Sequence, residues 1–195
     1  VPVVSYVNTS AEVKAETDVC CTSANAVKIV NSLGVKKVIF LPDKYLAKYV
    51  ASQTDVEIIS WEGICMVHDQ FNEKQINDIR KNNPGIKIIA HPECPPGVIK
   101  ASDFAGSTSG MISYVENKKP KKVMMVTECS MSDNIQVENP KVEFVRPCNL
   151  CPHMKKITLP KILDCLENET NEIVMDNKTI EKARRSVERM VKIGR

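Results

Sequence analysis

The chain contains its own echo. Val3-Val4-Ser5-Tyr6-Val7-Asn8 precedes Asp18 and the turn Cys21-Thr22-Ser23. Lys87-Ile88-Ile89-Ala90-His91-Pro92-Glu93 precedes Asp103 and Gly106-Ser107-Thr108. Tyr6 and His91, Asn8 and Glu93, Asp18 and Asp103, and Ser23 and Thr108 each stand 85 residues apart. The register continues through Lys36-Lys37-Val38 and Lys121-Lys122-Val123, and each copy closes near a cysteine, Cys65 or Cys151, at an offset of 86. A duplicated segment builds the same unit twice, so equivalent residues occupy equivalent places. Two polar strand ends, two hydroxyl turns and two cysteines are therefore expected to converge on one centre.

Within each copy, short β-branched runs alternate with helical patterns. Strands are predicted over 3–7, 37–41, 56–60, 87–90, 122–126 and 141–145, and helices over 24–33, 44–52, 73–82, near 110–115 and near 131–136. Apolar strands between helices imply α/β units of three layers, each a short parallel sheet covered on both faces. Residues 1–72 and 73–157 are expected to be the two units, and 158–195 a helical segment outside the repeat. In that segment Ile180, Ala183, Val187, Met190 and Val191 form an apolar stripe over 177–193, which either docks on the existing core or meets a missing partner.

Composition excludes several classes. No apolar run reaches the ~18–20 residues of a membrane span. A net charge of +3 and no basic, aromatic stripe argue against nucleic acid. Eight cysteines with no secretory signal point to a reducing compartment, the cytoplasm, where thiols more often bind metal or react than form staples. Cys20, Cys129 and Cys165 sit in apolar or helical surroundings and are read as structural thiols. Val1 is not an initiator methionine, and the chain is expected to be a fragment or a processed product.

In parallel sheets ligands bind beyond the carboxyl ends of the strands. Tyr6, Asn8, Asp43, His91, Glu93 and Glu128 all fall there. His91 and Glu93 offer an acid–base pair at neutral pH. His68 follows Cys65 by three residues and either lines the same centre or lies on the surface; His153 either orients a ligand or does not. Thr22-Ser23 and Ser107-Thr108 enter helices. One hydroxyl would serve as a cap; two in both copies suggest binding of phosphate or carboxylate. Cys148-Asn149-Leu150-Cys151-Pro152 is compatible with a redox pair, half a zinc knuckle or an iron–sulfur element. The repeat favours the last, because Cys65 and Cys151 are equivalents, with a third ligand from elsewhere.

Taken together these residues resemble the quinolinate synthase family. The likeness runs through Tyr6-Val7-Asn8-Thr9-Ser10-Ala11-Glu12, Thr22-Ser23-Ala24-Asn25, Pro42-Asp43, Gly63-Ile64-Cys65-Met66-Val67-His68, His91-Pro92-Glu93-Cys94, Ser107-Thr108-Ser109-Gly110 and Cys151-Pro152-His153-Met154-Lys155-Lys156. It implies three similar α/β domains around a 4Fe–4S cluster, each giving one cysteine. It further implies condensation of iminoaspartate with dihydroxyacetone phosphate to quinolinate on the way to NAD, served by an iminoaspartate-producing enzyme. By this resemblance Cys65 and Cys151 would ligate the cluster. Tyr6, Asn8, Ser23, His91, Glu93, Ser107 and Thr108 would line the substrate pocket, and Glu93, Tyr6 and His91 would be catalytic.

The family's first domain has no counterpart here, so 158–195 is expected to pack on that missing domain, and the chain alone is expected to be inactive. Cys148 and Cys151 are a candidate disulfide that would remove a ligand. Two other classes compete: a two-lobed α/β protein that binds a phosphorylated metabolite without chemistry, and a cluster-free lyase or isomerase using His91 and Glu93.

Overall fold

Two four-stranded, wholly parallel sheets organise the chain, in a computed structural model that describes residues 1–147 and 149–194. The first contains β1 (Val3–Tyr6), β2 (Val19–Cys21), β3 (Lys37–Leu41) and β4 (Glu57–Ser60), interleaved with α1 (Ala11–Ala15), α2 (Ala26–Ser32) and α3 (Lys44–Ala51). After α4 (Glu73–Asn82) come β5 (Lys87–Ala90), α5 (Pro96–Ala101), β6 (Phe104–Ala105), α6 (Thr108–Lys118), β7 (Lys122–Val126), α7 (Ser130–Glu138) and β8 (Glu143–Val145). The spatial orders are β2-β1-β3-β4 and β6-β5-β7-β8. The duplication read from the sequence is thus a duplication of topology.

Repeated residues make repeated bonds. Asp18 Oδ2 accepts the Val3 N–H at 2.7 Å, and Asp103 Oδ2 accepts the Ile88 N–H at 2.9 Å. In return the Asp18 and Asp103 amides donate to the carbonyls of Val3 and Ile88. Each aspartate therefore pins the start of its unit's first strand to the entry of the neighbouring strand.

The second sheet is covered on both faces, as side-chain alternation along buried strands requires. Ile88, Ala90, Met124 and Val126 pack with Ile76 of α4 and Val98 of α5. Ile89, Val123 and Met125 pack with Met111 and Val115 of α6 and Ile135 of α7. In the first unit Val4, Val38 and Phe40 share a core with Ile29 and Val30 of α2 and Leu46 and Val50 of α3. Its opposite face holds no such cluster among the described residues: Val3, Ile39 and Leu41 are only half-buried, and Ile59 is exposed.

Residues 158–195, expected to pack as one segment on a missing domain, divide. Helix α9 (Asn177–Gly194) lies across α1, α2 and β2 of the first unit, so its stripe docks on the existing core. Met190 joins that core, with Val187 packed against it. Ser186, absent from the predicted stripe, is the most buried residue of the helix; its hydroxyl donates to the Lys14 carbonyl at 2.9 Å and lies 3.3 Å from Cys20 Sγ. Val191, predicted to belong, is exposed. Helix α8 (Leu159–Asn168) buries none of its residues, and Leu159, Leu163 and Leu166 stay exposed. No helix among the described residues is long and apolar enough to cross a membrane.

Helices α1 and α5 and strands β2 and β6 go unread in the sequence. They span two to six residues each, too short for a periodic signal.

Candidate active site

The carboxyl ends of the strands from both sheets open onto one cavity of about 810 Å³. Tyr6 and Asn8 enter it from the end of β1, and His91 and Glu93 from the end of β5. Asp43 and Glu128 enter beyond β3 and β7, and Cys65 and Cys151 from the segments that follow β4 and β8.

Each cysteine is held in the same way. Asp43 caps α3 by accepting the Leu46 N–H on Oδ1 at 2.7 Å, and its Oδ2 accepts the Cys65 N–H at 3.0 Å. Glu128, its equivalent 85 residues on, accepts the Ser130 N–H at 2.9 Å and the Cys151 N–H at 3.4 Å. The Cys65 carbonyl then takes the Asp69 amide, and the Cys151 carbonyl takes the Lys155 amide. Gly63 lets the Cys65 segment approach: Lys44 N–H donates to its carbonyl at 2.8 Å, and a Cβ at Gly63 would fall 2.3 Å from the Pro42 carbonyl oxygen. No other residue fits there.

Acid–base groups from the two units meet between the sheets. His91 Nδ1 lies 3.1 Å from Glu93 Oε2, and His91 Nε2 lies 3.2 Å from Ser23 Oγ of the first unit. The His91 ring stacks on His68, with centroids 4.9 Å apart and planes inclined by 20°. His68 Nε2 is 3.0 Å from Thr127 Oγ1, whereas the buried Nδ1 has no hydrogen-bond partner and faces Glu93 Oε2 at 3.8 Å. His68 is therefore inside the site, not on the surface.

Burial sets the electrostatics. It pushes His68 down to about 4, with His91 adding to the effect and Glu93 only partly opposing it, so the His68–Glu93 approach is not an ion pair at neutral pH. Burial raises the Asp43 carboxyl to about 6, against the pull of the amides it accepts. The Cys65 thiol is raised by burial as well. Tyr6 is raised well above the ordinary phenol range by burial first and the Glu93 charge second, with the Ser23 hydroxyl opposing, so it remains a proton-bearing phenol. The amino ends of α3, α6 and α7 border the cavity through Asp43, Thr108 and Ser130. Helix amino ends favour anions there.

Of the residues singled out in the sequence, Tyr6, Asn8, Cys65, His91, Glu93, Thr108 and Cys151 line the cavity, and Ser23 touches it through His91. Ser107 does not line it; its hydroxyl caps α6, accepting the Gly110 N–H at 3.1 Å. His153 lines the wall. The suggested Cys148–Cys151 disulfide involves Cys148, which lies outside the described residues; Cys151 carries a free thiol. Cys20 is fully buried, Cys165 is half-buried, and Cys129 is half-buried and not a free thiol, contrary to its reading as one. Thr127 goes unnoticed in the sequence, because a lone threonine after a strand carries no signal without the histidine it meets.

Fold and site together define a duplicated parallel α/β protein whose two units aim thiols, carboxylates and histidines into a shared cavity at their strand ends. A model of the quinolinate synthetase A protein family matches residues 1–192, and the chain belongs to that family. It is 56% identical over 193 residues to a quinolinate synthase of Xylella fastidiosa (strain Temecula1 / ATCC 700964), covering 99% of this chain and 57% of the relative. It is 57% identical over 191 residues to quinolinate synthase 1 of Mesorhizobium japonicum, covering 98% and 59%, and 53% identical over 195 residues to quinolinate synthase of Caulobacter vibrioides, covering 98% and 53%. The chain thus spans a little over half the length of these curated relatives.

Proposed function

We propose that this chain supplies two of the α/β domains of a quinolinate synthase. That enzyme condenses iminoaspartate with dihydroxyacetone phosphate to give quinolinate, inorganic phosphate and two waters. The observation that carries the reading is that repeat-equivalent free thiols, Cys65 and Cys151, line one cavity with the His91–Glu93 pair.

Those two thiols suit two corners of a 4Fe–4S cluster, and soft thiolates are its usual ligands. When bound, an iron with an open position would supply Lewis acidity toward a departing hydroxyl. The chain's own residues do the rest. Thr108 and the amino ends of α6 and α7 bind carboxylate or phosphate oxygens. Glu93 takes a proton from carbon or nitrogen of the condensing pair, with its Oε2 oriented by His91 Nδ1. Tyr6, still protonated at neutral pH, donates to a developing oxyanion. His91 returns protons from its ring, positioned by Ser23. Free thiols and an iron–sulfur centre suit a reducing, cytoplasmic setting, and a short-lived imine substrate suits an enzyme that makes iminoaspartate nearby.

The test is genetic and chemical. The chain is fused behind the first α/β domain of a quinolinate synthase and expressed in a bacterium that lacks its own and requires nicotinate. Growth without nicotinate is expected from the fusion, and none from the fusion carrying Cys65→Ala. Purified fusion that contains iron and sulfide yet forms no quinolinate would refute the proposal. The chain alone is expected to form none.

A further inference from the structure

We propose that the open face of the first sheet is a docking surface for an amphipathic helix of the α4 kind, carried by a longer polypeptide immediately ahead of β1. The proposal rests on the duplication and not on the reaction assigned above.

Parallel sheets are built to be covered on both faces. In the second sheet Ile88, Met124 and Val145 stand side by side on β5, β7 and β8. Ile76 of α4 closes that row, with Phe71 before the helix and Ile86 after it. In the first sheet Val3, Ile39 and Ile59 stand side by side on β1, β3 and β4. They are the repeat equivalents of the same three residues, at offsets of 85, 85 and 86. Two residues earlier on the same strands, Lys37 pairs with Glu57 and Lys122 with Glu143, each at 2.9 Å, so the two rows share one register.

Their coverage differs. Ile88 and Met124 are fully buried, whereas Val3 and Ile39 are half-buried and Ile59 is 42% exposed. Val1 is 70% exposed, while its equivalent, Ile86, is 2% exposed. Val13 of α1 is half-buried, while its equivalent in α5, Val98, is fully buried. The element that closes one row and has no counterpart over the other is α4, and an equivalent placed in the same register would precede β1. Helix α9 does not replace it, because α9 lies along β2, α1 and α2. Helix α8 does not either, since it buries none of its residues.

Charge specifies the helix further. Arg80 of α4 donates to Asp103 Oδ2 at 2.9 Å and to the Ala101 carbonyl at 2.8 Å. Asp18, the equivalent of Asp103, accepts the Val3 amide but forms no ion pair among the described residues. A helix with apolar residues at the positions of Ile76 and Ile79 and an arginine at that of Arg80 fits the row and the carboxylate together. The curated relatives extend well beyond the stretch that this chain matches, so polypeptide for such a helix is at hand among them.

The repeat also supplies the probe. Residues 71–85 of this chain are added directly ahead of Val1, in the place they hold ahead of Ile86. The extended and unaltered chains are compared by hydroxyl-radical footprinting and thermal unfolding. Labelling of Ile59 is expected to fall several-fold, and the thermal midpoint to rise by about 4 °C or more. Ile76→Asp with Ile79→Asp in the added copy alone should abolish both changes, and Arg80→Gln there should reduce the gain in midpoint. Unchanged labelling of Ile59, or gains left intact by these substitutions, would overturn the proposal. So would an unaltered chain that sediments as a dimer with Ile59 already shielded, because a second copy would then own the face. Should the extended chain fail to fold, a synthetic peptide of residues 71–86 added to the unaltered chain decides. It should shield Ile59 where the doubly substituted peptide does not, and equal labelling with either peptide overturns the docking surface. Quinolinate formation enters none of these readouts, so the two proposals fail separately.

Discussion

Asp43 and Glu128 do the same work in each unit: one carboxylate group serves both the helix that follows its strand and the amide of that unit's cysteine. The sequence placed both at strand ends; that they hold the cysteines became visible only when the loops after β4 and β8 folded back. The consequence is testable at single residues. Asp43→Ala should cost about 1 kcal/mol through the lost cap of α3, measured by urea unfolding, and should speed alkylation of Cys65 while leaving Cys151 alone. Glu128→Ala should do the reverse, speeding alkylation of Cys151. His68 teaches the complementary lesson. Spacing from Cys65 allowed either a surface or a site position, and the choice was made by Thr127, 59 residues away in sequence. No local pattern contains that partner.

At the scale of elements, the aspartates that pin the start of each unit's first strand and the last helix matter most. Partial burial alone would raise Asp103, but the Ile88 amide with Arg80 and Lys87 outweighs it and holds its carboxyl below the usual range. A lowered folded pKa means that the stability Asp103 contributes is complete above the unfolded value of about 3.9 and is lost as pH falls through the folded value. Asp103→Asn should therefore flatten the acid end of the stability curve and lower the thermal midpoint at neutral pH, read by calorimetry from pH 7 downward. Helix α9 stabilises the first unit by closing its core. Met190→Ala should cost about 2 kcal/mol or more by opening a cavity in the core of the first unit, measured by urea denaturation. Elements are legible when they span at least two full periods of their pattern: the helix over 73–82 and the strands over 37–41 and 122–126 match their predicted ranges to the residue. Short edge strands were not, because two or three residues acquire strand character only from the neighbour they pair with.

For the molecule as a whole, the site belongs to neither unit. Glu93 and His91 come from the second, and Cys65, His68, Ser23 and Tyr6 from the first. Glu93→Gln in the fusion enzyme should lower turnover about 10²–10⁴-fold while leaving its iron content unchanged, measured by quinolinate formation and metal analysis. The chain alone dictated the duplication, the parallel α/β class and the residues carried at strand ends, because each is a matter of spacing, and spacing survives without three dimensions. Folding in space settled where α9 docks, that Ser107 of the second hydroxyl turn is consumed as a cap while Ser23 of the first meets His91, and that a neutral imidazole is left facing a carboxylate. Those depend on distances between segments remote in sequence, and on burial, which no stretch of chain possesses until another covers it.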